Sequence, residues 1–132
     1  MRFLVDTNIF LEVILDQEKA DEAKIFLEKT KEHDLFISDY SLHSIGLLLF
    51  RKKQYDVFYQ FLADMVSNAG IIMTALSTKD MIVVINSAQR FNLDFDDAYQ
   101  YAVAETYDLI IVSFDRDFER TERGRKTPAQ VL

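Results

Sequence analysis

Residues 2–8 are Arg2-Phe3-Leu4-Val5-Asp6-Thr7-Asn8, a short apolar run that ends abruptly in three polar residues. The apolar run predicts a buried strand over residues 2–5, and the polar residues are typical of the cap that begins a helix. Apolar residues then recur at helical spacing, at Ile9, Phe10, Val13 and Ile14. The segment therefore predicts a strand followed directly by a helix.

The same alternation continues to the end of the chain. Further buried strands are predicted over residues 35–37, 71–73 and 109–112. Helices are predicted over residues 18–31, 41–52, 55–67 and 95–106, and another begins at Ser77 or Thr78. Strands that are apolar throughout and alternate with helices indicate a mostly parallel sheet with helices on both faces. We therefore predict a single α/β domain over residues 1–132, a three-layer α/β/α sandwich around four to five strands.

The composition excludes several classes of protein. The 132 residues include 15 Lys plus Arg against 22 Asp plus Glu, a net charge of −7, which argues against binding nucleic acid through a strongly basic surface. The chain has no cysteine, which excludes disulfides, zinc thiolates and cysteine nucleophiles. We expect a cytoplasmic protein that does not enter the membrane, because no secretory signal and no membrane-length apolar run is present.

Three aspartates occupy positions where open parallel sheets bind ligands, beyond the carboxyl ends of the strands. Asp6 ends the first strand, Asp115 follows the fourth, and Asp97 lies in the first turn of the helix before that strand. Carboxylates brought together repel unless they are protonated or bridged by cations, and Mg²⁺ prefers oxygen ligands. Such a cluster suggests phosphoryl chemistry, in which metal ions orient a water molecule and stabilise the leaving oxygen.

Each of these acids also fits an ordinary structural role. Asp6 is placed to cap the first helix, and Asp97 lies in a helix start where acids favour the helix dipole. Asp115 and Asp117 fit a turn. The stretch over residues 116–126 has a small basic surplus, which is more typical of a solvated surface than of an RNA clamp.

Three short motifs follow one another along the chain. They are Asp6-Thr7-Asn8, Asp97-Ala98, and Ser113-Phe114-Asp115-Arg116-Asp117-Phe118. In this order and spacing they resemble the PIN-domain family, which includes the VapC-type ribonuclease toxins of toxin–antitoxin pairs. The resemblance covers essentially the whole chain. It implies a PIN-like fold and an endoribonuclease that depends on Mg²⁺ or Mn²⁺ and hydrolyses RNA.

The resemblance also implies roles for individual residues. The catalytic, metal-binding acids would be Asp6, Asp97 and Asp115, with Asp117 as a fourth metal ligand. The residues that would orient those carboxylates are Thr7, Asn8 and Ser113. A small antitoxin protein is an expected partner. We also expect a homodimer, because PIN domains of this size commonly pair and the helical middle of the chain is rich in aromatic residues.

One position departs from the family pattern. PIN domains usually carry a glutamate about six residues after the serine that ends the second strand, and here that place holds Ser44. Asp39 is a candidate to compensate, although it also fits a helix cap, and His43 is a candidate for a catalytic role. The departure leaves an alternative function open, a degenerate PIN-like module that binds RNA or protein and cleaves little or nothing.

Overall fold

Four parallel strands form one sheet in the computed structural model, which describes residues 1–29 and 31–131. The strands are β1 (Arg2–Val5), β2 (Asp34–Ser38), β3 (Ile72–Thr74) and β4 (Ile110–Val112). They lie in the order β3-β2-β1-β4, and Phe3 of β1 pairs with Leu35 on one side and with Ile110 on the other. Each strand begins and ends within one residue of its predicted position. The predicted parallel sheet is therefore confirmed.

Helices cover both faces of this sheet. They are α1 (Thr7–Ile14), α2 (Ala20–Leu27), α3 (Asp39–Arg51), α4 (Tyr55–Phe61), α5 (Met81–Phe91) and α6 (Phe95–Tyr107). Successive side chains of β1 point to opposite faces, as they must in a strand. Phe3 and Val5 enter the core built with α1 to α4, whereas Leu4 enters the core built with α5 and α6. The three-layer α/β/α arrangement is thus confirmed.

Two helices are shorter or less regular than the sequence predicts. The helix predicted over residues 18–31 spans only Ala20–Leu27, and the backbone N–H of its N-cap residue Lys19 donates to Glu12 Oε2 at 2.9 Å. Residue 30 of that prediction lies outside the described residues. The helix predicted over residues 55–67 ends as an α-helix at Phe61 and continues as a π-helix over Leu62–Asn68.

The helix predicted to begin at Ser77 or Thr78 starts with a 3₁₀ turn over Thr78–Asp80 before α5. Ser77 and Asp80 form its capping box, in which the Asp80 carboxylate accepts from the Ser77 backbone N–H at 2.8 Å. None of the helices in the described part of the chain is long and apolar enough to cross a membrane.

The chain after β4 turns back along the edge of the sheet. It forms a 3₁₀ turn over Arg116–Arg120, and Lys126 then makes a single parallel bridge to Val112. Three of the four arginines of this stretch pair with carboxylates, in the pairs Arg120–Asp117, Arg123–Asp108 and Arg125–Glu119. The basic surplus of residues 116–126 is therefore largely used in surface ion pairs, which agrees with its interpretation as solvated surface.

Candidate metal centre

The candidate site lies at the carboxyl ends of β1 and β4. β1 has β2 on one side and β4 on the other, so the strand order reverses between β1 and β4, where open α/β sheets bind ligands. A cavity of about 260 Å³ opens at this edge. Six of the residues that the sequence predicts for the site line it: Asp6, Thr7, Asn8, Ser44, Asp97 and Asp115.

Four neutral donors hold the carboxylate of Asp6. Its Oδ1 accepts from the backbone N–H of Thr7 at 2.9 Å and from Nε2 of Gln100 at 2.9 Å. Its Oδ2 accepts from the Ser113 hydroxyl at 2.6 Å and from Nδ2 of Asn8 at 3.4 Å. Asp6 thereby caps α1, and the same contacts fix the direction in which the carboxylate faces the cavity.

The tightest group of acids is formed by Asp97, Asp115 and Asp117. Each of them offers a carboxylate oxygen within 4.8 Å of the other two. The turn after β4 arranges two of them, because the backbone N–H of Asp117 donates to Asp115 Oδ1 at 2.8 Å. Asp97 is delivered by the first turn of α6, where its backbone N–H donates to the N-cap residue Asp94 at 3.1 Å. Asp6 lies outside this tightest group but lines the same cavity as Asp97 and Asp115.

Two acids of the site, Asp97 and Asp6, are ionised only at an energetic cost. Burial, followed by repulsion from Asp115, raises the pKa of Asp97 to about 8. Burial also raises the pKa of Asp6, although the hydrogen bonds from Gln100 and Ser113 oppose that rise. Since these pKa values are raised by lost hydration and by repulsion between acids, a bound cation would offset both effects.

The residues predicted to orient the carboxylates have separate tasks. The Ser113 hydroxyl accepts from the Asp115 backbone N–H at 2.9 Å while it donates to Asp6, so it links the two strand ends. Asn8 accepts from the Phe114 backbone N–H at 3.2 Å and thereby ties α1 to the turn after β4. Thr7 contributes its backbone N–H to Asp6, whereas its hydroxyl donates to Ser41 at 2.8 Å, at the start of α3.

Ser44 lies on α3 and faces the acids. Tyr40, one helical turn earlier, lines the same cavity and lies near Ser44 and Asp96. Burial raises the pKa of the Tyr40 hydroxyl, which is half-buried here. Position 44 thus belongs to the site by its place in the fold, although its side chain brings a hydroxyl where a carboxylate would add charge.

Asp39, by contrast, does not lie in the acidic cavity. Its Oδ1 accepts from the Tyr99 hydroxyl at 2.8 Å and from the Tyr40 backbone N–H at 2.9 Å. Together with the exposed His43 it lines an apolar groove on the outer side of α3. The structure therefore does not place Asp39 where it could replace the charge missing at Ser44. The reason is local, because α3 begins at Asp39 and its first turn directs that side chain toward α6.

Four residues that line the cavity are absent from the predicted site: Leu11, Tyr40, Asp96 and Gln100. The sequence does contain a feature that marks Gln100, because it is a long polar residue one turn after Asp97 in a helix of small residues. No such feature marks Tyr40, because only the way α3 packs against the sheet brings it to the acids.

A divalent metal ion fits this group of residues. The donors are all carboxylate oxygens. Such donors are typical of Mg²⁺ and Mn²⁺ sites, whereas zinc and copper sites more often use histidine or cysteine. Three of them come from Asp97, Asp115 and Asp117, within 4.8 Å of one another. Burial, followed by repulsion from Asp115, raises the pKa of Asp97, and a bound cation would offset both effects.

Comparison with known proteins assigns the family. The family profile described as PIN domain matches residues 3–124 of this chain. The chain therefore belongs to the PIN domain family, as its three motifs predicted. A comparison with curated proteins gave no significant match.

Solved structures share the fold at low sequence identity. A toxin–antitoxin complex from Klebsiella pneumoniae aligns at 21% identity with a TM-score of 0.76, covering 96% of this chain and 97% of that chain. VapBC2 from Rickettsia felis, bound to a DNA fragment from its promoter, aligns at 17% identity with a TM-score of 0.77 and the same coverage of both chains. VapC20 from Mycobacterium tuberculosis, a toxin that cleaves the sarcin-ricin loop, aligns at 20% identity with a TM-score of 0.72, covering 89% of this chain and 92% of that chain.

Proposed function

We propose that this PIN-domain protein is a metal-dependent endoribonuclease that hydrolyses RNA phosphodiester bonds and acts as the toxin of a toxin–antitoxin pair. The observation that carries the proposal is the group formed by Asp97, Asp115 and Asp117, which lies beside Asp6 at the reversal point of the sheet. The structural neighbours support it, because they include a VapC toxin and two toxin–antitoxin complexes.

The residues that would hold a Mg²⁺ or Mn²⁺ ion are Asp6, Asp97, Asp115 and Asp117. When bound, such an ion supplies positive charge for the phosphate and for the oxygen that leaves, and it orients the attacking water. The protein keeps the ligands ready for it: Ser113 and Asn8 hold Asp6, and the turn after β4 holds Asp115. Asp97 carries a proton near neutral pH without the ion, because its pKa is raised to about 8.

The degenerate-module alternative is less well supported than cleavage. That alternative rests on Ser44, which lacks the charge of the family's usual glutamate. Asp117, however, adds a third carboxylate to the group that includes Asp97 and Asp115. Carboxylates held this close repel one another, which would be costly in a module that binds no metal. Asp117 also forms an exposed ion pair with Arg120 at 3.3 Å, which does not bury its charge.

The partners of the protein follow from the same proposal. The toxin–antitoxin complexes among the neighbours support a small antitoxin protein that binds and inhibits this chain. A homodimer is proposed on separate grounds, the exposed aromatic side chains of α3 and α4. We place this activity in the cytoplasm, where RNA and a co-expressed antitoxin are both available.

An RNA-cleavage assay with a metal titration tests the function. Purified protein should cleave a mixed RNA substrate with Mn²⁺ or Mg²⁺ and lose that activity with EDTA. Asp97→Asn and Asp115→Asn should be inactive at the same metal concentration, while Asp21→Asn, an exposed acid on α2, should cleave as the wild type does. Cleavage that persists in both acid variants, or none by the wild type at any metal concentration, would contradict the proposal.

A further inference from the structure

Gln100 makes an unusual set of contacts for a residue inside a helix. It lies on α6 with only 2% of its surface exposed. Its Nε2 donates to Asp6 Oδ1 at 2.9 Å and to the Ser41 hydroxyl at 2.8 Å. Its Oε1 accepts from the Ser38 hydroxyl at 2.6 Å. One amide thus joins the end of β1, the end of β2 and the first turn of α3.

Packing alone does not call for a glutamine at this position. Most of its buried neighbours on the helix are small or apolar: Ala98, Ala102, Val103 and Ala104. Burying an amide is unfavourable unless its hydrogen-bonding groups are satisfied. Here both N–H groups and the carbonyl oxygen of Gln100 are used, and one of the partners is the buried carboxylate of Asp6. The amide is therefore matched to its polar partners and not to the packing of α6.

A neutral donor suits a carboxylate whose charge is needed elsewhere. A lysine or arginine in this place would orient Asp6 but would also neutralise it. The amide of Gln100 orients Oδ1 without cancelling the charge that Asp6 presents to the cavity it shares with Asp97 and Asp115.

We propose that Gln100 is a positioning residue, which holds the Asp6 carboxylate in the orientation in which it helps to bind a divalent cation. The inference rests on the proposed function, because it assumes that the acids of the cavity bind such an ion. Gln100 lines the same cavity, but its amide groups are all used by Asp6, Ser38 and Ser41, so it acts through the Asp6 carboxylate.

A purely structural role is the competing explanation. Through Ser38 and Ser41, Gln100 also ties α6 to the start of α3, so its loss would lower stability whatever Asp6 does. The two explanations differ in one respect. A positioning role makes the effect of Gln100 on metal affinity depend on the Asp6 carboxylate, whereas a structural role does not.

The test measures Mn²⁺ affinity by isothermal titration on the full chain. Gln100→Met keeps the length of the side chain and removes the amide, and Asp6→Asn removes the charge. Gln100→Met should weaken Mn²⁺ binding by about tenfold or more, the usual range for loss of a partner that orients a ligand. The double variant should bind no more weakly than Asp6→Asn alone. Gln89→Met, at an exposed position of α5, is the matched control and should bind as the wild type does.

The outcomes separate this inference from the proposed function. If the wild type binds Mn²⁺ but Gln100→Met binds equally well, the positioning role is wrong and the function stands. The same holds if Gln100→Met weakens binding as much in the Asp6→Asn protein as in the wild type. If the wild type binds no Mn²⁺, both proposals fail.

A second measurement needs no variant and can overturn the inference even if Gln100→Met does not fold. In the wild type, the side-chain amide resonances of Gln100 should shift on titration with Mg²⁺, because its acceptor Asp6 changes its bonding. Those of Gln89 should stay in place. Unchanged Gln100 resonances under conditions where Asp97 and Asp115 respond to Mg²⁺ would overturn the inference.

Discussion

The Ser113 hydroxyl donates to Asp6 Oδ2 at 2.6 Å and connects residues that are 107 positions apart in the chain. Asp6 follows β1 and Ser113 follows β4, and these strands are neighbours in the sheet. Both groups are buried, so the bond is formed away from water and is strengthened by the charge of the carboxylate. It holds the two strand ends together at the point where the acids of the site meet.

Ser113→Ala should therefore affect both stability and metal binding. We expect the free energy of unfolding to fall by about 1–3 kcal/mol, because a buried charged acceptor loses a donor. Mn²⁺ affinity should fall as well, since Asp6 and the Asp115 backbone both lose a contact. Chemical denaturation and isothermal titration measure the two effects, with Ser67→Ala at an exposed position as the control. Unchanged metal affinity in Ser113→Ala would show that this bond does not orient the site.

Asp97→Asn and Asp6→Asn should differ in stability although both weaken Mn²⁺ binding. Asp97 is repelled by Asp115, so its neutral replacement should leave the metal-free fold as stable or more stable. Asp6 accepts on both oxygens, and an asparagine would set its NH₂ group against a donor and destabilise the fold. Thermal unfolding in EDTA compares the two variants. A stability loss in Asp97→Asn equal to that in Asp6→Asn would contradict this account of repulsion.

Stability without metal should fall as the pH rises from about 4 to about 8. The pKa of Asp97 is raised to about 8 in the folded protein from an ordinary value of 3.8. Between these values the folded state holds a proton that the unfolded state has lost, so raising the pH favours unfolding. The midpoint of thermal unfolding should decrease across this window in the wild type and decrease less in Asp97→Asn. A wild-type midpoint that rises from pH 5 to pH 8 would contradict the raised pKa.

The same pKa predicts that metal binding releases protons. Because Asp97 is protonated near neutral pH and must be ionised to bind a cation, uptake of one Mn²⁺ at pH 7 should release roughly one proton. Titrations in two buffers of different ionisation enthalpy measure that number. Asp97→Asn serves as the control and should release fewer protons.

The strands and the strand-end acids could be predicted from the sequence, because both depend on local patterns. An apolar run such as Arg2–Val5 indicates a buried strand, and the residue after it must lie at the edge of the sheet where ligands bind. The roles of Gln100 and Asp39 could not be predicted in the same way. They depend on how α3 and α6 approach each other, which brings the Tyr99 hydroxyl to Asp39 and the Gln100 amide to Asp6. That approach is set by packing across the whole domain.

The exposed rings of α3 and α4 predict self-association. Phe50 and Tyr59 are 54% and 74% exposed, whereas Phe26, from the same aromatic-rich part of the sequence, is fully buried. Light scattering at tens of micromolar, roughly the range in which weak interfaces assemble, should give about twice the 15.4 kDa chain mass. Phe50→Ser combined with Tyr59→Ser should shift the protein toward the monomer. A wild-type protein that is monomeric at this concentration would refute the homodimer.

Ser44→Glu should strengthen metal binding and accelerate RNA cleavage. Ser44 faces the cavity lined by Asp6, Asp97 and Asp115, so a carboxylate there would add negative charge that helps to hold metal ions. One added charge near a bound ion is worth on the order of 1–4 kcal/mol, or about fivefold or more in affinity. The wild type should cleave slowly and respond more to Mn²⁺ than to Mg²⁺, since Mn²⁺ binds such sites more tightly. Single-turnover cleavage of one RNA measures the gain.

Asp39→Asn is the matched control for Ser44→Glu. Asp39 bonds to Tyr99 and lines the apolar groove, so neutralising it should leave cleavage near the wild-type rate. The rival explanation is that Asp117 already fills the gap left at position 44, since it lies within 4.8 Å of Asp97 and Asp115. In that case Ser44→Glu would crowd the acids and bring no gain in cleavage. A Ser44→Glu protein that cleaves faster than the wild type would instead identify position 44 as the place of the missing ligand.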